Sequence, residues 1–468
     1  MDRVSHLDRV SAYILFLAIA AAPLPQGTRD LATVAAWCFV LGIGLLCASP
    51  RKLRRGQLSL IGGIVTVVAC YGLVLHEQLS DSQWIAAPNP IWARTAELLG
   101  RPVEPSVSAV RGEAFFALGR SLAALLALIL GLVIGADNDR ARQALLVMGW
   151  SGAGYAAYGI AQLTNGVATA TFVNRNTAAA YFGSCAAVWL VLLMSTVRRR
   201  LPGGPIVWGQ LTEHLTAEAS SESNLTFREI ELISRFCLLF LCLTAMFMTT
   251  SRAGVGISLV AMVGSFALFF RRDLPSGVSF VLLLAFAGGI AWLLLQLLGG
   301  QVEGRVDVLG LEDAGRAAAY QSTLRMIADS PWFGTGLGTF PWVFPAYRNG
   351  NISIIGTWDI AHSTPLELAA ELGVPMALLI VSAWIAALAV LFRGTSRSRR
   401  RTVAPLAALT VALIANVHST VDFSLQVSGY AIVVFALVGV GLAQSFDTDT
   451  SRIVRRARRR EEQPEYSE

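Results

Sequence analysis

The sequence predicts an all-α integral membrane protein of about twelve transmembrane helices, with one large extramembrane loop between helices nine and ten. Two observations carry this. The 468 residues are 54% hydrophobic and only 15% charged, where a soluble domain of this size carries closer to a quarter charged residues. The arginines also cluster at alternate ends of the apolar segments, as the positive-inside pattern requires.

Twelve segments are long enough, or nearly so, to cross a bilayer: 10–24, 31–49, 57–76, 114–135, 143–163, 172–196, 232–250, 253–270, 277–298, 371–392, 403–419 and 425–445. Arg51-Lys52-Leu53-Arg54-Arg55, Arg140 with Arg142, Arg198-Arg199-Arg200, Arg271-Arg272, Arg393 through Arg401 and Arg452 to Arg460 then fall on one side. That side is the cytoplasm, and both termini lie there. Segments 77–113 and 299–370 fall on the far side, periplasmic in a cell with an outer membrane. The chain reads as one membrane domain. Residues 1–298 hold helices one to nine, 299–370 the loop, 371–446 helices ten to twelve, and 447–468 a basic and acidic cytoplasmic tail.

The first segment is short and ends at Pro23 and Pro25. Ala18-Ile19-Ala20 would suit a signal-peptide cleavage site, but an uncleaved span is the preferred reading. The stretch Leu201–Glu231 is polar and carries Pro202, Gly203, Gly204 and Pro205, so a flexible connection is expected. The six cysteines, Cys38, Cys47, Cys70, Cys185, Cys237 and Cys242, all lie in apolar runs without Cys-x-x-Cys spacing. Neither a disulfide framework nor a zinc site is indicated. The net charge of +6 sits beside the spans and is no nucleic-acid signature.

Three polar clusters fall where far-side span ends are expected. They are Phe172-Val173-Asn174-Arg175-Asn176, Thr249-Thr250-Ser251-Arg252-Ala253-Gly254, and Ala361-His362-Ser363 in the long loop. Two arginines on one leaflet point to a shared anionic ligand, because guanidinium binds phosphate oxygens bidentately. A juxtamembrane arginine can equally be a snorkelling lipid anchor. The flanking asparagines favour a site for Arg175, and the cramped Ser-Arg-Ala-Gly turn favours one for Arg252.

Within the loop, Glu312–Asp329 places Ala317, Tyr320, Leu324 and Ile327 at helical spacing. Arg316 and Arg325 can then line its solvated face. Gly334-x-Gly336-x-Gly338 follows no strand and lacks the dinucleotide spacing, so a tight turn after Pro331 is expected. His418 and Asp422 are spaced to meet on one helical face, as a buried structural pair. His6, His76 and His214 have no suggestive neighbours.

The order of these motifs resembles the O-antigen ligase / O-antigen polymerase superfamily, bacterial transferases of glycans carried on undecaprenyl diphosphate. The resemblance rests on Phe-Val-Asn-Arg-Asn and Thr-Ser-Arg-Ala-Gly, followed by an arginine-bearing helix leading into Asp329-Ser330-Pro331-Trp332-Phe333-Gly334-Thr335-Gly336-Leu337-Gly338-Thr339-Phe340. His362-Ser363-x9-Gly373 completes it. It spans roughly 90 to 445 and includes Asn89-Pro90-Ile91-Trp92 to Leu98-Leu99-Gly100. The ligase pattern continues with Gly, Thr or Val where this chain has Met376.

The resemblance implies a membrane glycosyltransferase of the bacterial inner membrane, independent of metal and of any cofactor. The donor would be an undecaprenyl-diphosphate-linked glycan, and the acceptor lipid A-core or another glycan. Arg175, Arg252 and Arg316 would hold the diphosphate, and His362 would take the acceptor proton. Asn174, Asn176, Ser251, Ser363 and Arg325 are supporting candidates. A ligase and a polymerase of O-antigen or exopolysaccharide share this donor chemistry; His-Ser-x9-Gly leans toward the ligase. A related option within the superfamily is a protein acceptor. A competing class is a transporter or flippase of an anionic lipid-linked solute, which would need the arginines but not His362. It predicts charged or broken helices near the bilayer midplane, whereas most charges here sit at span ends.

Overall fold

The computed structural model describes residues 2–49, 55–163, 166–200, 227–271, 306–350, 352, 358–396 and 403–446, with isolated positions between 281 and 289. The described residues are helical almost throughout. In chain order the helices are α1 Asp2–Ala21, α2 Leu31–Cys47, α3 Arg55–Leu79, α4 Ile91–Leu99, α5 Glu113–Ile134, α6 Asn138–Ala161, α7 Arg175–Arg200 and α8 Phe227–Met248. They continue with α9 Arg252–Phe270, α10 Val306–Asp329, α11 Phe340–Val343, α12 Thr364–Leu372, α13 Val374–Thr395, α14 Val403–Ser419 and α15 Ser428–Gln444.

Six described helices, α3, α5, α7, α8, α9 and α13, are long and apolar enough to cross a membrane. The apolar helices α2, α14 and α15 are shorter, at 17 residues each. Seventeen residues rise about 26 Å, close to the hydrocarbon thickness of roughly 30 Å. The expected ninth span, 277–298, falls outside the described residues apart from the isolated positions. So do the expected tail and most of the connection 201–231.

The core is built around α7 and α15. Most of α7 is buried, including Ala178, Ala179, Ala180, Tyr181 and Phe182, and α15 is buried at every position but Phe435. Lipid gives no hydrophobic drive for one helix to leave it for another, so close backbone packing by small residues does the work. The crossing of α5 and α15 shows this. A Cβ on Gly131 would stand 2.2 Å from the Ala436 carbonyl oxygen, and one on Gly439 would stand 2.2 Å from the Leu128 carbonyl oxygen. Only glycine fits at either position.

The connections gather at two ends. At one, Gln444 Nε2 donates to the Gly135 carbonyl at 2.6 Å. Arg140, Arg198, Arg199, Arg200 and Arg393 also lie at this basic end, in the first turn of α6 and the last turns of α7 and α13. At the other, the Gly429 amide donates to Gly27 at 2.8 Å and the Ala168 amide to Met248 at 3.0 Å. Arg29 faces Asp359 at 3.8 Å. This loop end holds the α1–α2 turn, segment 80–112, the α6–α7 connection, the α8–α9 turn, the described part of the long loop and the α14–α15 turn.

The long loop has its own small apolar cluster, in which Met326, Phe340, Phe344, Ala361 and Ala370 are buried. Its helix α10 forms as expected, but its apolar face is rotated. Ala318, Ala319, Met326 and Ile327 are buried, while Leu324 is 53% exposed and Ala317 faces outward. The glycine run makes the expected turn. Gly334, Gly336 and Gly338 all have positive φ, and a Cβ on Gly334 would meet the Glu371 backbone at 2.3 Å. The expected tenth span also divides: α12 stops at Leu372, Gly373 takes φ +85°, and α13 restarts at Val374. A Cβ on Gly373 would clash with the Trp332 carbonyl at 2.1 Å, so this break is where the two backbones cross.

Candidate functional site

The site grows from two helix starts. Asn174 precedes α7, and its Oδ1 accepts from the amides of Asn176 (2.6 Å) and Thr177 (3.3 Å). Ser251 precedes α9, and its Oγ accepts from the Gly254 amide at 3.3 Å. These are N-caps, which polar short side chains make best. Ser251 Oγ also donates to Asn176 Oδ1 at 2.7 Å, joining the two helix starts. Arg175 and Arg252 are the first residues of these helices. Each therefore sits at the positive end of a helix dipole, where an anion is favoured. Arg175 is half-buried and Arg252 exposed.

The α14–α15 turn lies between these starts and the long loop. His418 is buried. Its Nε2 has no hydrogen-bond partner among the described residues and lies 3.5 Å from where a Cβ on Gly254 would stand. The expected pairing of His418 with Asp422 along one helix face is not what forms. The helix ends at Ser419, His418 Nδ1 pairs with Ser424 Oγ, and Asp422 turns toward the loop. Asp422 Oδ1 accepts from the Phe423 amide at 2.8 Å and lies 4.0 Å from His362 Nδ1. Asp422 is 2% exposed, and its Oδ2 has no partner among the described residues. At 4.0 Å its effect on His362 is electrostatic, since a hydrogen bond requires a closer approach.

His362 is held in an unusual shape. Its φ is +53°, the left-handed region that costs a non-glycine residue about 1–3 kcal/mol. Both sides of it are clamped. Glu367 Oε2 accepts from the Ala361 amide at 2.8 Å, and Tyr320 OH donates to the His362 carbonyl at 3.0 Å. The imidazole lies between Trp358 and Phe423, each with its ring centroid 5.4 Å away. The five non-glycine residues with positive φ among the described residues are Gln26, Thr28, Ala170, Thr250 and His362. All five lie at the loop end. Strain of this kind persists only where the surroundings over-determine the backbone, and it collects at functional sites.

Arg316 and Arg325 separate. Arg316 is one helical turn from Tyr320, so it shares the face of α10 that meets the His362 loop. It lies close enough to His418 for their charges to interact. Arg325 is nine residues further, about 180° around the helix, and it is exposed. The structure therefore brings Asn174, Arg175, Asn176, Ser251 and Arg252 together, with Arg316, His362 and Ser363 across the α14–α15 turn from them, and leaves Arg325 out. Ser363 is buried at the N-cap of α12 without a capping hydrogen bond from its side chain.

Four residues were not legible as site residues in the sequence: Asp422, Tyr320, Glu367 and Glu371. Glu371 is buried and its Oε1 accepts from the Phe340 amide at 2.9 Å. Burial pushes both carboxyls of α12 above the usual range, and the charge of Glu371 pushes Glu367 further. The Phe340 and Gly338 amides and the Arg120 charge pull Glu371 partly back. The signal available was a pair of acids one turn apart directly after His-Ser. Gln78, on α3, completes the support. Its Nε2 donates to the carbonyls of Phe333 and Glu371, each at 2.7 Å, and its Oε1 accepts from the Leu337 amide at 3.0 Å.

Residues 237–381 match the family model described as O-antigen ligase. No curated protein matches the chain. The matched stretch contains Ser251, Arg252, Arg316, Arg325, His362 and Ser363, and it ends before Asp422. It supports the O-antigen ligase / O-antigen polymerase superfamily that the order of motifs resembles.

Proposed function

We propose, for a multi-pass helical membrane protein carrying an O-antigen ligase-type domain, that it is a glycosyltransferase working at the periplasmic face of the bacterial inner membrane. It moves a glycan from undecaprenyl diphosphate to an acceptor hydroxyl, and the acceptor is lipid A-core. One observation carries the reading most directly. Two arginine-bearing helix starts are tied together by Ser251 and Asn176, at the end of the bundle that also holds His362 and Asp422.

The donor diphosphate lies against Arg175 and Arg252, at the N-termini of α7 and α9. Its negative charge increases as the sugar leaves, and preorganised donors at that point lower the barrier more than any other single effect. Arg316 contributes from α10. The acceptor oxygen attacks the anomeric carbon as the bond from that carbon to the phosphate oxygen breaks. The electron pair leaves with undecaprenyl diphosphate, and the acceptor proton passes to the His362 nitrogen turned away from Asp422. The Asp422 carboxylate stabilises the imidazolium that results. A single displacement of this kind inverts the anomeric centre. No step is assigned to a metal.

The test uses purified protein in detergent with a labelled undecaprenyl-diphosphate glycan and lipid A-core. The expected result is labelled lipopolysaccharide and one undecaprenyl diphosphate released per glycan transferred, abolished by His362→Ala. Labelled chains that lengthen on the carrier, without lipid A-core, would make it a polymerase. If neither product forms, while vesicles containing the protein move the donor across the bilayer, the transport class replaces the enzymatic one.

A further inference from the structure

His418 sits in the last turn of α14 and is fully enclosed by the bundle. Its Nδ1 pairs with the hydroxyl of Ser424, itself buried, and this contact fixes the ring in place. Its Nε2 has no hydrogen-bond partner among the described residues. That nitrogen faces the first turn of α9, where a Cβ on Gly254 would stand 3.1 Å from Ser251 Oγ and 3.5 Å from Nε2. We propose that His418 Nε2 donates a hydrogen bond to a phosphate oxygen of the anion held at the N-termini of α7 and α9. This rests on the proposed donor site and adds to its arginines a donor from α14.

The partner on Nδ1 sets what Nε2 offers. A serine hydroxyl has one proton to give, and a bare ring nitrogen accepts it. With Ser424 donating to Nδ1, the proton of the neutral imidazole is on Nε2. A buried N–H left without a partner is costly, and more so inside a helical bundle in lipid, where water does not compete for it. Native folds keep such a donor where a ligand or an ordered water completes it.

The surroundings favour an anion over water. A Cβ on Gly254 would meet the Ala179 Cβ at 2.5 Å, so glycine lets α7, α9 and the His418 ring converge at this turn. The turn is the positive end of α9, and Arg252 heads it. Arg316 acts on the ring through its positive charge, and Asp422 through its negative one. A buried water needs two or more partners with capacity to spare. Ser251 Oγ, the hydroxyl nearest this point, already donates to Asn176 and accepts from the Gly254 amide. A hydrogen bond from a neutral ring to a charged oxygen is strengthened by the anion alone and moves no proton.

The experiment measures binding of undecaprenyl diphosphate to the full chain in nanodiscs, with His418→Asn and His418→Gln beside wild type. An asparagine amide reaches where Nδ1 stands and stops short of Nε2. A glutamine amide reaches where Nε2 stands and gives up the Nδ1 contact. His418→Asn is expected to weaken binding by about tenfold or more, as loss of a hydrogen bond to a charged oxygen does, and His418→Gln by about threefold or less. The reverse order makes the ring a support for Ser424 and overturns the proposal. So does unchanged binding in both variants, the result for a ring that meets only buried water. Nitrogen-15 NMR of histidine-labelled wild type gives a readout even if both variants misfold. The His418 Nε2–H signal is expected to shift with undecaprenyl diphosphate and to stay in place with undecaprenol. A bare Nε2, or a signal that the diphosphate leaves unmoved, overturns the proposal. If Arg175→Ala and Arg252→Ala weaken binding and neither His418 variant does, the contact fails and the donor site stands. If His418→Asn weakens binding while wild type transfers no glycan, the proposed reaction fails and the contact stands. Wild type that binds the diphosphate no better than undecaprenol overturns both.

Discussion

Ser251 Oγ lies 2.7 Å from Asn176 Oδ1, a contact between residues 75 apart in sequence that ties the start of α9 to the start of α7. Each partner also serves its own helix, Ser251 as a cap and Asn176 as a first-turn amide bound to Asn174. The two positive helix ends are thereby held in register before any ligand arrives, and preorganisation of this kind is what makes electrostatic catalysis effective.

The first prediction concerns the arginines those helices carry. Arg175→Ala and Arg252→Ala are each expected to lower kcat/KM for glycan transfer by roughly 10²–10³-fold. Lysine at either position is expected to restore only part, because an ammonium supplies the charge without the planar fork. Release of labelled undecaprenyl diphosphate by purified variants measures this. Full activity in either lysine variant would mean that the contact needs charge alone.

A second prediction separates His362 from its support. His362→Gln is expected to lower kcat by roughly 10²–10⁴-fold with little change in donor KM, the loss characteristic of a missing base. Asp422→Asn leaves the imidazole in place and removes the charge 4.0 Å from Nδ1. Activity is expected to fall less than in the His362 variant. The acid limb of the pH–rate profile is expected to move to lower pH, since the imidazolium loses its stabilising partner. An unmoved limb would separate Asp422 from the chemistry.

The acids of α12 give a third prediction, for stability against pH. Burial raises Glu367 from 4.5 to about 8 and Glu371 from 4.5 to about 7. The fold therefore favours their protonated forms. That contribution is complete below about pH 4.5 and is lost as pH rises through 7 to 8. Thermal stability should fall from about pH 4.5 to about pH 8 and level off above it, and Glu367→Gln, which stays neutral, should flatten the decline. A wild-type profile flat across this window would overturn the assignment.

Two glycines give a fourth. Gly439→Val places a side chain 2.2 Å from the Leu128 carbonyl oxygen, a backbone atom that cannot rotate away. A loss of about 1–3 kcal/mol or more is expected from such overpacking. Gly154→Val, whose Cβ meets nothing within 4 Å, is the matched control and should show no such loss. Denaturant unfolding in detergent compares the two.

Much of this was legible in the sequence because membrane helices obey a simple rule: apolar length and arginine placement fix where the chain enters and leaves lipid. That is why α5, α9 and α13 fall within a few residues of their expected bounds, and why the Arg175 and Arg252 clusters were identifiable from their place at span ends. What could not be read is set by long-range contact. The face of α10 is chosen by Phe340, Phe344 and Ala361, which pack on it from elsewhere, so Leu324 is outside despite its spacing. The break at Gly373 follows from the passage of the Trp332 carbonyl, invisible in a run that reads as continuous apolar helix. Asp422 comes within 4.0 Å of His362 and acts on His418 through charge without a hydrogen bond, because the helix ends at Ser419, and no local pattern marks that ending.

The α14–α15 turn has a consequence for how the protein comes into being. Asp422 stands on it, Thr364 Oγ1 reaches the Asp422 carbonyl at 3.5 Å, and the Gly429 amide fastens it to Gly27 in the first turn of the chain. A nascent chain inserted as far as α13 already owns Arg175, Arg252 and His362, yet it lacks the piece that seats between them. On the proposed function, competence therefore arrives only with the last two helices, and a chain that ends before α14 is expected to be inert.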